Sequence, residues 1–518
     1  MNYADLFRVT LPETALEVAA LLVLIVDLGF LRKTALSLRL AVAASIGVLG
    51  CAAALWAIDI QTGLGLSVDG NLVLVNGGIG AAAQCGILIL TALTLLLLFD
   101  SFFTRHIGEF VAVMLMAAAG GLLIAAAQDL LVIFIGLELL SLGLYILTAF
   151  AKSSGKSAEA AMKYYLFGGM SAAFLLFGFS YLYGLSGSTS LPRVVFGCNV
   201  AAAHGGSPLL YLALVMVATG LGFKVAAVPF HLWAPDTYEG APAPAAAFIA
   251  SVSKVASFAL LISIGHVTLY FFQALTSGVQ VPSYVVGITS TVTEISPTPS
   301  IYYIWSTLLT VLAAASMVLG NLAALAQTSV RRLLAYSAIA HSGYILLGLA
   351  FFSWGNRSAQ AVLFYVLTYG LTTVGAFGVV AVVERATGSD KLDSFLGLHK
   401  RNPLLAGILL VLFLSLAGIP PLVGFWAKFN LFAAVLGQQG GTVPFALVCV
   451  AIAMSAVSLF YYLQVLKRAY VMPAPAMDEA EIRIHVHPVT LAVLISIAAA
   501  VVLLGCFPTL LSGWIGSF

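Results

Sequence analysis

Residues 129–150 read DLLVIFIGLELLSLGLYILTAF, a stretch long enough to cross a bilayer, with one carboxylate, Glu138, near its middle. A helix needs about 20 predominantly apolar residues to span the hydrocarbon core of a membrane. Similar apolar runs follow one another along all 518 residues, and the chain is 62% hydrophobic and only 8% charged. Soluble domains carry roughly a quarter charged residues. We therefore predict an all-α polytopic membrane protein that forms a single membrane domain over residues 1–518.

The apolar runs define fourteen predicted membrane spans. Their approximate bounds are 13–31, 38–58, 81–101, 107–127, 129–150, 160–184, 208–229, 243–271, 302–327, 333–353, 358–383, 403–437, 444–466 and 488–512. Cytoplasmic loops of membrane proteins are enriched in Lys and Arg. When alternate connections are assigned to opposite sides, fifteen basic residues fall on one side and only Arg8, Arg193 and Arg357 on the other. This bias predicts a bacterial inner membrane protein with both termini in the periplasm.

The remaining four of the 22 basic residues fall within predicted spans, and they are Lys163, Lys224, Lys254 and Lys428. A lysine at the centre of a membrane helix costs about 2.5–3.5 kcal/mol on insertion scales, so each needs a physical reason. Glu138 is the carboxylate placed nearest a bilayer midplane and is the natural counter-ion for one lysine. Two alternatives stay open, because an ammonium can reach the headgroups, as fits Lys163 near its span end, or can form an ion pair that only locks helices together.

Two predicted spans carry helix breakers beside a lysine. Lys224 precedes Pro229 in the seventh span, and the motif GIPP at 418–421 precedes Lys428 in the twelfth. Proline removes a backbone donor, and irregular backbone at membrane depth is tolerated only when it is buried in protein or lines a wet cavity. The pattern favours a hydrated ion path through discontinuous helices, with a plain proline kink as the alternative.

The two halves of the chain are weakly similar in sequence, which indicates an internal repeat. Gln128 and the YIL at 145–147 have the same spacing as Gln327 and the YIL at 344–346, in spans predicted to run in opposite directions. This pattern fits an inverted repeat.

His341 is a further candidate for proton transfer, and it lies beside Leu142 when the two repeats are aligned. A lone histidine on such a helix can equally serve packing. The stretch 272–301 is polar and rich in Ser, Thr and Pro, which predicts an outer loop of unassigned role.

The five cysteines are scattered singly, without a C-x-x-C motif or a His/Cys cluster. We therefore expect no haem, iron–sulfur cluster, zinc or other cofactor on this chain. The net charge of +2, without a basic stretch interleaved with aromatic residues, argues against nucleic acid as a partner.

Five motifs together resemble the antiporter-like subunits of proton-pumping NADH:quinone oxidoreductase, respiratory complex I. They are GLELLSLGLYIL (136–147), KYYLFGGM (163–170), FKVAAVPFHLWAPDTYEGAP (223–242), RRLLAYSAIAHSGYIL (331–346) and GIPPLVGFWAKF (418–429). The resemblance covers nearly the whole chain. HLWAPDTYEGAP favours the N type of these subunits over the related L and M types.

The resemblance implies a proton-translocating membrane-arm subunit with discontinuous seventh and twelfth helices and a charged axis halfway across the membrane. It also implies two inverted five-helix repeats, of helices 4–8 at 107–271 and of helices 9–13 at 302–466, with flanking helices at 1–101 and 488–518. It assigns proton translocation to Glu138, Lys224, Lys254 and Lys428, and it matches Lys163 to the lysine of the sixth helix. NADH, quinone, flavin and iron–sulfur clusters are then expected only on partner subunits of the membrane and peripheral arms. The electron donor, the type of quinone, the proton stoichiometry and any sodium transport stay open.

Two other functions fit the same residues. A subunit of a cation/proton antiporter or of a membrane-bound hydrogenase would use the same helices and lysines. A passive structural scaffold would contain lysines that only pair, and neutralising Lys254 or Lys428 would then leave the proton-to-electron ratio of the complex unchanged.

Overall fold

The computed structural model is a bundle of long apolar helices with short connections. It describes residues 3–61, 63–68, 71–101, 103–203, 208–277, 301–352, 357–437, 441–473 and 483–518. Residues 278–300, which make up most of the predicted outer loop at 272–301, lie outside the described residues.

The first half of the chain contains eleven described helices. They are α1 Tyr3–Val9, α2 Leu11–Ile25, α3 Leu36–Gln61, α4 Gly78–Leu96, α5 Ile107–Ala126, α6 Leu130–Thr148, α7 Gly155–Ser186, α8 Leu191–Ala203, α9 Pro208–Lys224, α10 Trp233–Gly240 and α11 Ala243–Ser277. The described helices of the second half are α12 Ile301–Leu325, α13 Val330–Ala350, α14 Arg357–Thr387, α15 Leu398–Arg401, α16 Pro403–Ala417, α17 Val423–Leu436, α18 Thr442–Tyr470, α19 Pro488–Cys506 and α20 Pro508–Gly516.

Membrane-spanning length and composition confirm the predicted fold class. Among the described residues, eleven helices are long and apolar enough to cross a bilayer. Three further predicted spans coincide with shorter helices, which are α2, α9 and the pair α16 and α17. The total of fourteen spans stays a prediction. The last predicted span, 488–512, is too long, because α19 ends at Cys506 and a separate helix begins at Pro508.

One small element was not predicted from the sequence. An antiparallel hairpin of β1 Leu64–Val68 and β2 Asn71–Asn76 follows α3. Its two short strands lie between two strongly hydrophobic runs, and the prediction of membrane spans therefore passed over them. Asn76 Nδ2 donates to the carbonyl of Val9 (2.6 Å), and Gln128 N–H donates to the carbonyl of Val73 (2.8 Å), so the hairpin joins α1 to the connection before α6.

Two pairs of helices cross in the same way. A Cβ added at Gly120 of α5 would lie 2.7 Å from the backbone nitrogen of Leu140 in α6. A Cβ added at Gly320 of α12 would lie 2.6 Å from the backbone nitrogen of Ala340 in α13. Each glycine therefore lets two helix backbones approach more closely than any side chain allows.

The connections that follow these pairs are also alike. Residues 128–130 pair with residues 189–191 through two backbone hydrogen bonds of 2.8 Å, and residues 328–330 pair with residues 390–392 through two of 2.9 Å. The first pairing precedes the N-terminal end of α6. The second pairing lies next to Arg332, and Arg332 and Lys156 both bond to Glu239. Because Lys156 follows the C-terminal end of α6, the two pairings lie at opposite ends of that helix.

The two glycines at these crossings are 200 positions apart, whereas Gln128 and Gln327 are 199 apart. At a spacing of 200, His341 is matched with Ser141, and at a spacing of 199 it is matched with Leu142.

Candidate functional site

The chain leaves helical geometry between α9 and α10, at residues 225–232, and protein groups satisfy the freed backbone. Val228 N–H donates to Ser316 Oγ (2.9 Å), and the carbonyl of Phe223 accepts from Trp233 Nε1 (3.0 Å). Buried backbone groups without partners are costly in an apolar medium, so these side-chain bonds stabilise the break. A second break, at 418–422, separates α16 from α17.

Lys224 is the last residue of α9 and is buried, with 7% of its surface exposed. Its ammonium donates to the hydroxyl of Ser141, and it lies 3.8 Å from Glu138 Oε1. The Glu138 side chain is 26% exposed at the edge of the bundle, and its Oε1 has no hydrogen-bond partner among the described residues. The pair is thus in place but not tightly hydrogen-bonded.

Lys254 lies in the first half of α11 and is 2% exposed. Its ammonium donates to Ser342 Oγ (2.5 Å) and to the carbonyls of Ala338 (2.7 Å) and Val225 (3.5 Å). It also lies 5.7 Å from the ring centre of Tyr369, close enough for a cation–π interaction. Because Val225 follows Lys224 directly, the break after α9 links the surroundings of the two lysines.

Lys428 lies on α17 and is 6% exposed. Its ammonium donates to Ser455 Oγ (2.7 Å) and to the carbonyls of Ala417 (2.8 Å) and Leu416 (3.2 Å). These two carbonyls end α16, where the helix dipole concentrates negative charge that stabilises a cation. The ring centre of Tyr344 lies 5.5 Å from the ammonium.

His341 lies between the surroundings of Lys254 and Lys428. Its Nδ1 is 2.9 Å from the hydroxyl of Tyr365, and its Nε2 is 3.4 Å from that of Tyr462. Its ring centre is 4.8 Å from that of Tyr369, the ring beside Lys254. Both ring nitrogens therefore have hydroxyl partners, as a group that passes a proton requires.

A cavity of about 10 Å³ lies beside this histidine. Its lining includes Tyr365, Thr368, Tyr369, Thr372 and Ser415. A cavity of about this size is at the lower limit for one water molecule.

Sequence reasoning missed the tyrosines and threonines of this region. Tyr365 and Tyr369 are four residues apart, and Thr368 and Thr372 share their side of α14. That spacing was the available signal, but four hydroxyls in an apolar helix carry no charge and did not stand out.

Lys163 lies apart from the three buried lysines. Its side chain is 41% exposed, and its ammonium lies 2.7 Å from Glu159 Oε1 and 2.7 Å from Asp236 Oδ2. Arg332 joins the same surface network, with contacts of 2.6 Å to Asp236 and 3.1 Å to Glu239. The geometry around Lys163 is that of a surface ion-pair network.

Asp236, in the connection after the seventh predicted span, is held ionised by this network. Burial alone would raise the pKa of Asp236, but the hydrogen bonds from Lys163 and Arg332 outweigh it and leave the pKa below its ordinary value. Among the described residues, no group of three or more His, Cys, Asp and Glu side chains could hold a metal ion.

A family model described as "NADH:quinone oxidoreductase/Mrp antiporter, TM" matches the chain twice, over residues 127–296 and 274–455. NADH-quinone oxidoreductase subunit N 2 of Acidobacterium capsulatum is 47% identical over 523 residues, covering 99% of each chain. NADH-quinone oxidoreductase subunit N of an Anaeromyxobacter species is 38% identical, covering 90% of this chain and 88% of that protein.

Solved membrane complexes contain chains of the same fold. A chain of respiratory complex I from Thermus thermophilus with bound aureothin is 31% identical, with a TM-score of 0.73 and coverage of 97% of this chain and 98% of that chain. A chain of the Mrp complex from Dietzia sp. DQ12-45-1b has a TM-score of 0.77 over 98% of this chain and 96% of that chain, at 20% identity. The second likeness concerns the fold alone.

Proposed function

Because the chain belongs to the NADH:quinone oxidoreductase/Mrp antiporter family of membrane subunits, we propose that Glu138, Lys224, Lys254 and Lys428 carry protons across the membrane. The chain is a proton-translocating membrane subunit of NADH:quinone oxidoreductase, of the subunit N type. It is a part of that enzyme, and the redox chemistry takes place on partner subunits that carry flavin and iron–sulfur clusters. Electron transfer there drives proton movement here through conformational or electrostatic coupling.

The observation that carries this proposal is the burial of three lysines at two helix breaks. The three lysines are buried, with exposed fractions of 7% for Lys224, 2% for Lys254 and 6% for Lys428. Their side chains therefore do not extend along the protein surface to place the ammonium among the lipid headgroups. Of these three lysines, only Lys224 has a carboxylate within 4 Å among the described residues. Buried cations without a full set of counter-ions are rare in membrane helices and mark ion pathways.

Glu138 is the proposed switch of the pathway. At 3.8 Å, two opposite charges attract by about 4 kcal/mol at an effective dielectric constant of about 20. Moving a proton against about 150–200 mV costs roughly 3.5–4.6 kcal/mol. Making and breaking the pair of Glu138 and Lys224 is therefore an event of the size that pumping requires.

The proposed order of transfer follows the contacts. Lys224 holds its proton while Glu138 is close and releases it when the pair separates. The carbonyl of Val225 leads to Lys254, and the hydroxyl-bonded His341 lies between Lys254 and Lys428. Lys163 belongs to the surface ion-pair network and lies outside this order of transfer.

We further propose that residues 107–271 and 302–466 are inverted repeats. The matched helix crossings, the matched backbone pairings at opposite ends of α6 and the two tandem matches of the family model support this reading. Inverted repeats create two related half-paths that meet near the middle of the membrane.

The proposed location is the bacterial inner membrane, with both termini in the periplasm. Lys156 and Arg332, which the charge bias assigns to the same, cytoplasmic side, lie within hydrogen-bond distance of one residue, Glu239, and this supports their placement on one side. The partners are the other membrane-arm and peripheral-arm subunits and the surrounding lipid, and quinone and NADH bind only to those partners.

Replacement of Lys224 by alanine in the intact complex tests the function. Lys224→Ala should greatly reduce proton pumping into liposomes while the complex still assembles, and Lys467→Ala, at an exposed position at the end of α18, should leave pumping unchanged. An assembled Lys224→Ala complex that pumps with the wild-type proton-to-electron ratio would exclude this role and support the scaffold reading. Sodium-dependent transport without NADH oxidation would support the antiporter reading.

A further inference from the structure

Each of the three buried lysines contacts one serine hydroxyl. Lys254 donates to Ser342 Oγ at 2.5 Å, and Lys428 donates to Ser455 Oγ at 2.7 Å. Lys224 donates in the same way to the hydroxyl of Ser141. The three serines come from the different helices α6, α13 and α18, so one helix motif does not account for the pattern.

The other hydrogen-bond partners of Lys254 and Lys428 are backbone carbonyls. Lys254 contacts the carbonyls of Ala338 and Val225, and Lys428 contacts those that end α16. A carbonyl oxygen only accepts hydrogen bonds, whereas a hydroxyl both accepts and donates. Within the described part of the chain, the serine is thus the one hydrogen-bond partner of each ammonium that can donate a hydrogen bond to the neutral amine after the proton has left.

The chemistry of the lysine makes this difference decisive. When the ammonium gives a proton to a water molecule, one N–H bond breaks, its electron pair stays on nitrogen, and an O–H bond forms on the water. The neutral amine then has a lone pair that needs a donor, and a buried polar group without a partner is costly. Carbonyls cannot satisfy that lone pair.

We propose that Ser342 and Ser455 reverse their hydrogen bonds in each transfer cycle and thereby stabilise the neutral forms of Lys254 and Lys428. This inference rests on the proposed proton path through these lysines. Ser342 Oγ now also lies within hydrogen-bond distance of the carbonyls of Val225 (2.7 Å) and Ala338 (2.9 Å). Rotation about its Cβ–Oγ bond turns the hydroxyl hydrogen from these carbonyls to the lysine nitrogen and leaves Oγ in place. Ser141 has the same contact with Lys224, but there Glu138 lies 3.8 Å from the ammonium and favours its charged form as long as the two stay close.

Valine and threonine have the same shape and differ by a hydroxyl, so they form a matched test at each serine. In the intact complex reconstituted in liposomes, Ser342→Val and Ser455→Val should pump protons about tenfold more slowly than Ser342→Thr and Ser455→Thr, the factor that corresponds to losing one hydrogen bond. The quantity measured is the pumping rate per assembled complex, together with the protons moved per NADH oxidised.

Ser257 and Ser458 provide the controls. Both are buried, and their hydroxyls donate only to backbone carbonyls of their own helices, those of Ser253 and Ser455. Ser257→Val and Ser458→Val should pump like the wild type. If the added methyl prevents assembly, Ser342→Ala and Ser455→Ala remove the hydroxyl without adding volume and should show the same loss.

Valine variants that pump as fast as their threonine counterparts would overturn the inference. The proposed function fails separately, because it requires that Lys254→Ala and Lys428→Ala lose pumping. Loss in those lysine variants with full activity in the serine variants would retain the proton path and exclude the serine role.

Discussion

Gly418 faces the side chain of Lys428 across the break between α16 and α17. Gly418 has a φ of 89°, in the left-handed region that side chains disfavour. A Cβ at this position would lie 3.0 Å from Cδ and 3.2 Å from Nζ of Lys428. The glycine therefore both ends α16 and leaves room for the ammonium at the helix carbonyls.

Gly418→Ala should consequently impair pumping more than assembly. The left-handed backbone costs a side chain about 1–2 kcal/mol, and the added methyl pushes the ammonium away from Ala417. Gly407→Ala is the matched control, because Gly407 lies in the same helix with nothing within 4 Å of an added Cβ. Gly407→Ala should leave thermal stability equal or slightly raised. Equal pumping by the two variants in liposomes would show that the Gly418 contact does not position Lys428.

Asp236→Asn should destabilise the chain without abolishing proton transfer. The change removes charge-assisted hydrogen bonds with Lys163 and Arg332, and partial exposure limits the cost to about 1 kcal/mol. Asp393→Asn serves as the control, since Asp393 is 80% exposed and contacts Arg468 at 3.4 Å. The measurement is the thermal unfolding midpoint of the purified complex.

The lowered pKa of Asp236 also fixes a pH dependence. A carboxylate whose pKa is lower in the folded state stabilises it above the unfolded pKa, near 3.9, and loses that effect as the pH falls through the folded value. The difference in midpoint between wild type and Asp236→Asn should therefore be constant from pH 5 to pH 8. A difference that disappears within this window would contradict the network.

The amino-acid sequence was sufficient for the membrane class, the broken helices and the charged residues. Each of these features can be recognised in the linear sequence alone. A long apolar run, a proline and a lysine among leucines are all evident without knowing which residues they contact in the fold. The buried lysines were found because their charge is rare in such a context. Lys163 carries the same signal yet is 41% exposed, and its two counter-ions, Glu159 and Asp236, are visible as a pair only in the fold.

The hydroxyl groups around the lysines could not be predicted in the same way. Ser342 and Ser455 are ordinary residues for membrane helices, and each becomes notable only because the fold brings it to an ammonium. The close helix crossings at Gly120 and Gly320 could not be predicted for a similar reason, because glycine is too common in this chain to reveal which residues lie at a crossing.

Asn321→Leu should destabilise the second half of the bundle. Asn321 Nδ2 donates to the hydroxyl of Tyr344 (2.9 Å), and its Oδ1 accepts from the hydroxyl of Tyr461 (3.1 Å). Leucine has a similar volume but leaves buried hydroxyls without this partner, at about 1–3 kcal/mol for each. Adding Tyr344→Phe removes one of those hydroxyls, so the double variant should lose less stability than the sum of the single variants. Strict additivity in the unfolding midpoints would argue that the bond to Tyr344 contributes nothing.

Glu138→Gln should lower the proton-to-electron ratio of the assembled complex. Glutamine keeps the shape of the side chain but removes the charge that lies 3.8 Å from Lys224, so the proposed switch loses its attraction. Glu159→Gln is the matched control, because Glu159 is 66% exposed and pairs with Lys163 on the surface. Proton uptake measured against NADH oxidation should fall for Glu138→Gln alone. An equal ratio in both variants would remove Glu138 from the pathway.

Gly120→Ala and Gly320→Ala should destabilise the chain to a similar degree. At both positions the new Cβ would meet a backbone nitrogen of the next helix at 2.7 and 2.6 Å, which forces the paired helices apart. Gly169→Ala in α7 is the control, since nothing lies within 4 Å of a Cβ there and alanine favours a helix by about 0.5–1 kcal/mol over glycine. The measurement is the thermal unfolding midpoint and the yield of assembled complex. A large loss of stability at one position with none at the other would argue that the two crossings are not equivalent. That result would also argue against the proposed inverted repeats.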